Sequence, residues 1–141
     1  MLISGECHCG NISFSLTWEP DPTHIPARAC TCSFCKRHGA VWTSNPGVAL
    51  RILVRDPALV SRYVFGTENA SFHTCACCGI VPVVTTLIDG KLYAVVNVNS
   101  FEGVAPSLIR RESTNFDGED ERARLARWKR NWISNVEGLS W

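Results

Sequence analysis

Three cysteines, Cys30, Cys32 and Cys35, fall within six residues in the order Cys-Thr-Cys-Ser-Phe-Cys. On an extended segment the period of two turns the sulfurs of Cys30 and Cys32 to one face. Cys35 then returns from the following turn to meet them. Three converging thiolates suit a soft metal, zinc above all. They are also one ligand short of a closed tetrahedral site. A zinc held by three protein ligands keeps a fourth position for water or substrate.

The chain has eight cysteines. Cys7-His8-Cys9-Gly10 supplies one pair. In an extended segment its sulfurs share a face and His8 points away, which gives His8 a packing or hydrogen-bonding role. Cys75-Ala76-Cys77-Cys78-Gly79 supplies a C-x-x-C knuckle whose glycine permits the tight turn. Together Cys7, Cys9, Cys75 and Cys78 make a four-sulfur set, the form of a closed structural zinc site, joining the N-terminus to the middle of the chain. Metal binding would there serve as folding energy. Cys77 is left over. It reads by default as a small buried hydrophobe, with a free thiol, a substitute for Cys78 and a visiting fourth ligand as alternatives. This four-plus-three grouping rests on spacing, and other groupings remain open. A disulfide framework is the rival, but cysteines two apart are poorly placed to bond each other. His38, three residues past Cys35, has three readings: a ligand closing the second site, an acid/base or substrate contact, or a solvated histidine. Lys36 and Arg37 either meet a substrate carboxylate or are solvated charge.

The elements that must position these groups are mainly strands. Ile12, Phe14, Leu16 and Trp18 alternate with polar residues, as in a half-buried strand. The chain is extended again after Pro26, into the three-cysteine stretch. Residues 40–44 read as a short strand and 62–65 as another; 48–54 is apolar but too short to classify. Asp56-Pro57 predicts a turn or a single helical turn. Asp89-Gly90 between the apolar runs 80–88 and 91–98 predicts a hairpin, with Pro82 at an edge or strand end. Asn115-Phe116-Asp117-Gly118 predicts a turn. One long helix is predicted, from about Glu119 to Asn135, with Leu125, Trp128 and Trp132 on one face. Its acidic start and basic later turns suit the macrodipole, and its arginines read as a solvated face.

A chain of 141 residues is most simply one domain, residues 1–141. A net charge of +1 argues against a nucleic-acid surface. No apolar run approaches the length of a membrane span. Met1 to Glu6 has neither a basic nor an apolar leader segment, so a cytoplasmic location is expected.

Gly5-Glu6-Cys7-His8-Cys9-Gly10, Cys30 to Lys36 and Cys75 to Gly79 together resemble the glutathione-dependent formaldehyde-activating enzyme family, which also contains the centromere protein V domain. The turn at 115–118 is similar to one common in that family. The resemblance covers nearly the whole chain. It implies a mainly β fold, a small zinc-bound β-sheet domain with few helices, here ending in the C-terminal helix. It implies a structural zinc on Cys7, Cys9, Cys75 and Cys78 and a catalytic zinc on Cys30, Cys32 and Cys35, two zinc ions per chain. The family pattern does not require Cys77. The implied activity is that of a zinc-dependent carbon–sulfur lyase read in reverse. A thiol, glutathione in the reference reaction, joins a small aldehyde such as formaldehyde to give S-hydroxymethylglutathione. The expected partners are thus a small thiol and an aldehyde. The alternative is a zinc-stabilised binding module without catalysis. Iron at the thiolates is a third reading.

Overall fold

The computed structural model describes residues 1–116 and 118–138. Among these described residues the architecture is mainly β, as the sequence predicts, with twelve strands in two sheets and two α-helices. The strands are β1 (Leu2–Glu6), β2 (Ile12–Thr17), β3 (Ile25–Cys30), β4 (Val41–Thr43), β5 (Ala49–Val54), β6 (Val60–Tyr63), β7 (Ala70–Cys75), β8 (Val83–Ile88), β9 (Lys91–Asn97), β10 (Phe101–Glu102), β11 (Ile109–Thr114) and β12 (Asn135–Glu137). Two α-helices, α1 (Ser33–His38) and α2 (Glu121–Asn131), complete it with three short 3-10 turns. One turn, Pro57–Leu59, is capped by Asp56, the single helical turn expected there.

The smaller sheet runs β10-β1-β2-β5-β12 and the larger β11-β3-β4-β9-β8-β7-β6. The alternation in β2 buries Ile12, Phe14, Leu16 and then Trp18, as predicted. They pack with Ile3, Leu50 and Ile52 of their own sheet against Val83, Ala94 and Val96 of the larger one. Val84, Tyr93 and Val95 point to the opposite face, against Trp128 and Trp132. The central strands β8 and β9 are therefore covered on both sides, which explains their nearly unbroken apolar runs.

The β8–β9 hairpin turns at Asp89-Gly90, both with positive φ (52° and 77°), the backbone such two-residue loops require. Pro82 sits just ahead of β8, at a strand end rather than a sheet edge, and its carbonyl accepts from Asn97 N at 2.8 Å. The run 48–54 resolves as β5.

Several local expectations need correction. Cys7 to Gly10 is a tight turn between β1 and β2, closed by Gly10 N donating to Cys7 O at 2.9 Å, and not an extended segment. Only Cys30 of the three-cysteine stretch is in a strand, because α1 begins directly after Cys32. The long helix is shorter than predicted. Asp120 caps it, accepting from Ala123 N at 2.8 Å, and it stops at Asn131. The backbone of Ile133 is taken instead by Ala94, through bonds of 2.9 and 3.0 Å, and β12 then runs parallel to β5. The turn expected at 115–118 includes Asp117, which lies outside the described residues.

Candidate metal centres and the adjoining cavity

Two knuckles bring the first four sulfurs together. At the end of β1, Cys7 N donates to Ile12 O at 2.9 Å, and Ile12 N donates to Cys7 Sγ at 3.3 Å. At the end of β7, Cys75 N donates to Ile80 O at 2.9 Å, and Cys78 N donates to Cys75 Sγ at 3.5 Å. In each knuckle a glycine N–H, that of Gly10 or Gly79, closes onto the cysteine carbonyl. The sulfurs of Cys7, Cys9, Cys75 and Cys78 all lie within 4.8 Å of one another. Cys7 and Cys9 are 3.8 Å apart, and Cys9 and Cys75 3.5 Å. Four ligands at a zinc–sulfur bond of about 2.3 Å would be about 3.8 Å apart in a tetrahedron. The donor set therefore fits a tetrahedral metal.

The second group is Cys30, Cys32 and Cys35, again within 4.8 Å. Cys30 ends β3. Cys32 caps α1, its Sγ accepting from Cys35 N at 3.4 Å. Cys35 lies buried in the first turn of α1, and its Sγ accepts from Trp42 Nε1 at 3.3 Å. Hydrogen bonding from Cys35 holds the Cys30 thiol down to about 5, and hydrogen bonding with Cys30 followed by burial pushes Cys35 up. Sulfurs this close cannot all carry charge without a cation among them. Both groups thus offer thiolate sets of the kind that hold metal ions.

The remaining sequence candidates lie elsewhere. Cys77 is exposed, not the buried residue expected, and is outside the four-sulfur group. His8 is exposed too, without the packing role expected of it. His38 is exposed on α1 with its ring 4.6 Å from that of Phe34. It belongs to neither sulfur group. Lys36 and Arg37 are exposed, and Arg37 Nη1 donates to Ser33 O at 2.9 Å.

A cavity of about 300 Å³ opens beside the three-sulfur group. One face of the larger sheet forms its floor. Arg28 lies two residues before Cys30, so both side chains leave the same face of β3. Thr114 of β11 pairs directly with Cys30, and Trp42 of β4 with Arg28. Val95, Val84 and Phe72 continue the floor across β9, β8 and β7. The opposite wall is α2, with Arg124, Arg127, Trp128 and Trp132. The arginines of α2 were expected on a solvated face; Arg124 and Arg127 instead turn half-buried toward the cavity. Glu119 holds Arg127 through two bonds of 3.0 Å, and Arg127 stacks on the Phe116 ring at 3.5 Å. Arg28 donates to Ser44 Oγ at 2.8 Å. Burial, then the nearby charge of Arg127, lowers its proton affinity.

Outside the cysteines, none of these cavity residues stands out in the sequence as a site residue. The strand period before Cys30 is the signal that would have found Arg28. Trp128 and Trp132 read in the sequence as an apolar stripe, but a stripe does not say what it covers.

The sequence profile described as glutathione-dependent formaldehyde-activating enzyme matches residues 2–114. The chain belongs to that family. This family member is also similar to a crystal structure of a Rhodobacter sphaeroides protein, a structural-genomics target. The two are 31% identical, with a TM-score of 0.57, and the match covers 79% of this chain and 99% of the other. The matched residues of the profile include all eight cysteines. They stop before α2, so part of the cavity wall comes from beyond the family match. No helix among the described residues is long and apolar enough to cross a membrane.

Proposed function

We propose that the chain is a single-domain, zinc-dependent carbon–sulfur lyase of the cytoplasm, working in the direction that joins a thiol to a small aldehyde. Glutathione and formaldehyde are the reference pair. The observation that carries this reading is the cavity of about 300 Å³ that opens against Cys30, Cys32 and Cys35 and gives a substrate room beside the three-thiol group. In this reading Cys7, Cys9, Cys75 and Cys78 hold a structural zinc, and Cys30, Cys32 and Cys35 hold the catalytic one. A zinc ion held by three thiolates supplies a Lewis acid with one open position, which favours the thiolate form of an entering thiol.

The reaction forms one C–S bond. The thiol gives up its proton, its sulfur attacks the aldehyde carbon, and the carbonyl π pair becomes an alkoxide that takes up a proton, so the sum is one hemithioacetal. The protein's own groups prepare this step. Trp42 Nε1 fixes Cys35 and leaves less negative charge on its sulfur. Trp42, Phe72, Trp128 and Trp132 keep the cavity poor in water, which strengthens charge interactions inside it. Arg28 adds a positive charge on the Cys30 side.

Elemental analysis of protein purified under reducing conditions should find about two zinc ions per chain. That protein should accelerate formation of the glutathione–formaldehyde adduct over the uncatalysed rate. Absence of acceleration with both sites loaded rejects this reference pair and favours a zinc-stabilised binding module.

A further inference from the structure

Helix α2 sorts its cations by face. Arg122, Lys129 and Arg130 are exposed, whereas Arg124 and Arg127, one helical turn apart, line the cavity beside Trp128. Both cavity guanidiniums are held in place. Arg127 grips Glu119 through two bonds of 3.0 Å and stacks on the Phe116 ring. Arg124 donates to Thr67 Oγ1 at 3.0 Å and to the Glu119 carbonyl at 3.4 Å. Arg28 lines the same cavity from β3, its side chain donating to Ser44 Oγ. Three guanidiniums thus share one carboxylate, that of Glu119, among the described residues, and no acidic side chain is in the described lining. Each planar fork keeps N–H donors that these bonds leave unused. Positive charge drawn partly out of water without its anion is costly, and a bound anion offsets that cost.

We propose that Arg127, Arg124 and Arg28 form a carboxylate site that selects thiols carrying a carboxylate away from the sulfur, glutathione among them. This rests on the reading of the three-sulfur group as the reacting centre. The thiol enters beside Cys30, Cys32 and Cys35, and the carboxylate lies between the arginines of α2 and Arg28 of β3. A carboxylate matches the planar guanidinium fork, as Glu119 already does on Arg127. Its charge offsets the excess on the cavity wall. Since Glu119, Phe116 and Thr67 fix the α2 arginines beforehand, little side-chain freedom is lost on binding. A neutral thiol meets the same wall without this gain, and a cationic one is repelled. Arg124 and Arg127 lie beyond the residues matched by the family profile, so this part of the selectivity belongs to the chain's own C-terminal segment.

The test compares glutathione with its diethyl ester, which keeps the thiol but masks both carboxylates, on the full-length, metal-analysed protein without aldehyde. Binding is read as quenching of tryptophan fluorescence, since Trp42, Trp128 and Trp132 line the cavity. Glutathione should bind about tenfold tighter than the ester, the size expected for one charge-assisted hydrogen-bond pair. Arg127→Gln should remove most of that preference by weakening glutathione rather than the ester. Arg130→Gln takes the same charge from the exposed side of α2 and should keep the preference. Should Arg127→Gln fail to fold, Arg28→Gln serves, since that guanidinium bonds only Ser44 among the described residues. Equal binding of acid and ester by the natural protein, binding of neither, a preference that survives in the folded cavity variant, or an equal loss in Arg130→Gln overturns the proposal. Adduct formation with formaldehyde is followed on the same samples. A carboxylate preference without acceleration would sink the enzyme reading and leave the carboxylate site standing; acceleration without the preference would do the reverse.

Discussion

The indole Nε1 of Trp42 donates to Sγ of Cys35 at 3.3 Å. Trp42 belongs to β4 and Cys35 to α1, so this bond ties the short helix carrying one sulfur to the sheet carrying another, Cys30. It is a donor to a cysteine sulfur, of the kind that orients a metal ligand and tunes its charge when a metal is bound. Trp42→Phe keeps a large buried ring but removes the donor. Metal should leave the three-sulfur group about tenfold faster in a chelator competition, with release from the four-sulfur group unchanged. Identical release from both groups in variant and natural protein would refute this role.

The two sulfur groups should separate by what their loss does. Cys7 and Cys75 are fully buried in the core between the sheets, and in the proposed assignment they tie two distant knuckles together. Cys75→Ala should unfold the chain or cost at least about 3 kcal/mol, through lost metal binding and an emptied core site. Cys32 is half-buried at the cavity rim, so Cys32→Ala should keep the fold and abolish adduct formation. Denaturant unfolding and the adduct assay on both variants decide it. If Cys32→Ala also unfolds the chain, the second group is structural.

Glu119 links stability to acid. Its carboxylate accepts two bonds from Arg127, which hold its titration below the ordinary carboxylate range, with the charges of Arg127 and Arg124 adding to the effect. A carboxyl depressed by folding contributes stability that is complete above its unfolded value, about 4.3. That stability fades as pH falls through the lower folded value. Glu119→Gln should therefore melt lower than the natural protein at about pH 7, and the gap should close by about pH 3. A melting difference that stays constant across this range would mean that the loss is one of packing alone. Since Glu119 also fixes Arg124 and Arg127 in the cavity wall, the variant should bind cavity ligands more weakly.

Gly5 shows how tightly the smaller sheet is built. A Cβ there would lie 2.3 Å from the Phe14 ring, which covers Gly5 from the neighbouring strand. Phe14 in turn meets Phe101 edge-on, with ring centroids 6.1 Å apart. The ring thus has little room to yield. Gly5→Ala should cost about 2 kcal/mol by overpacking, read as a lower urea midpoint with an unchanged slope. A neutral result would show that Phe14 can repack.

By itself the sequence determined what depends on near neighbours. The alternation from Ile12 to Trp18 fixed a strand and its buried face, because side chains in a strand repeat every two residues. Asp89-Gly90 fixed a hairpin, because few residues adopt the positive φ that its turn needs. The cysteine spacings set out which sulfurs could sit side by side, and the family resemblance followed from them.

Only the tertiary structure decided the rest. The six-residue helix after Cys32 has no apolar period long enough to read; it is held by the Cys32 cap and by Cys35 docking under Trp42. Helix α2 ends early because Ile133 pairs with Ala94, a bond to a strand about forty residues away that no local pattern announces. The cavity itself joins Arg28 and Cys30 of β3, Thr114 of β11, Trp42 of β4 and the tryptophans of α2. Pairing β11 beside β3 in parallel joins residues more than eighty apart in sequence, and such pairing answers to the packing of whole sheets rather than to any local residue pattern.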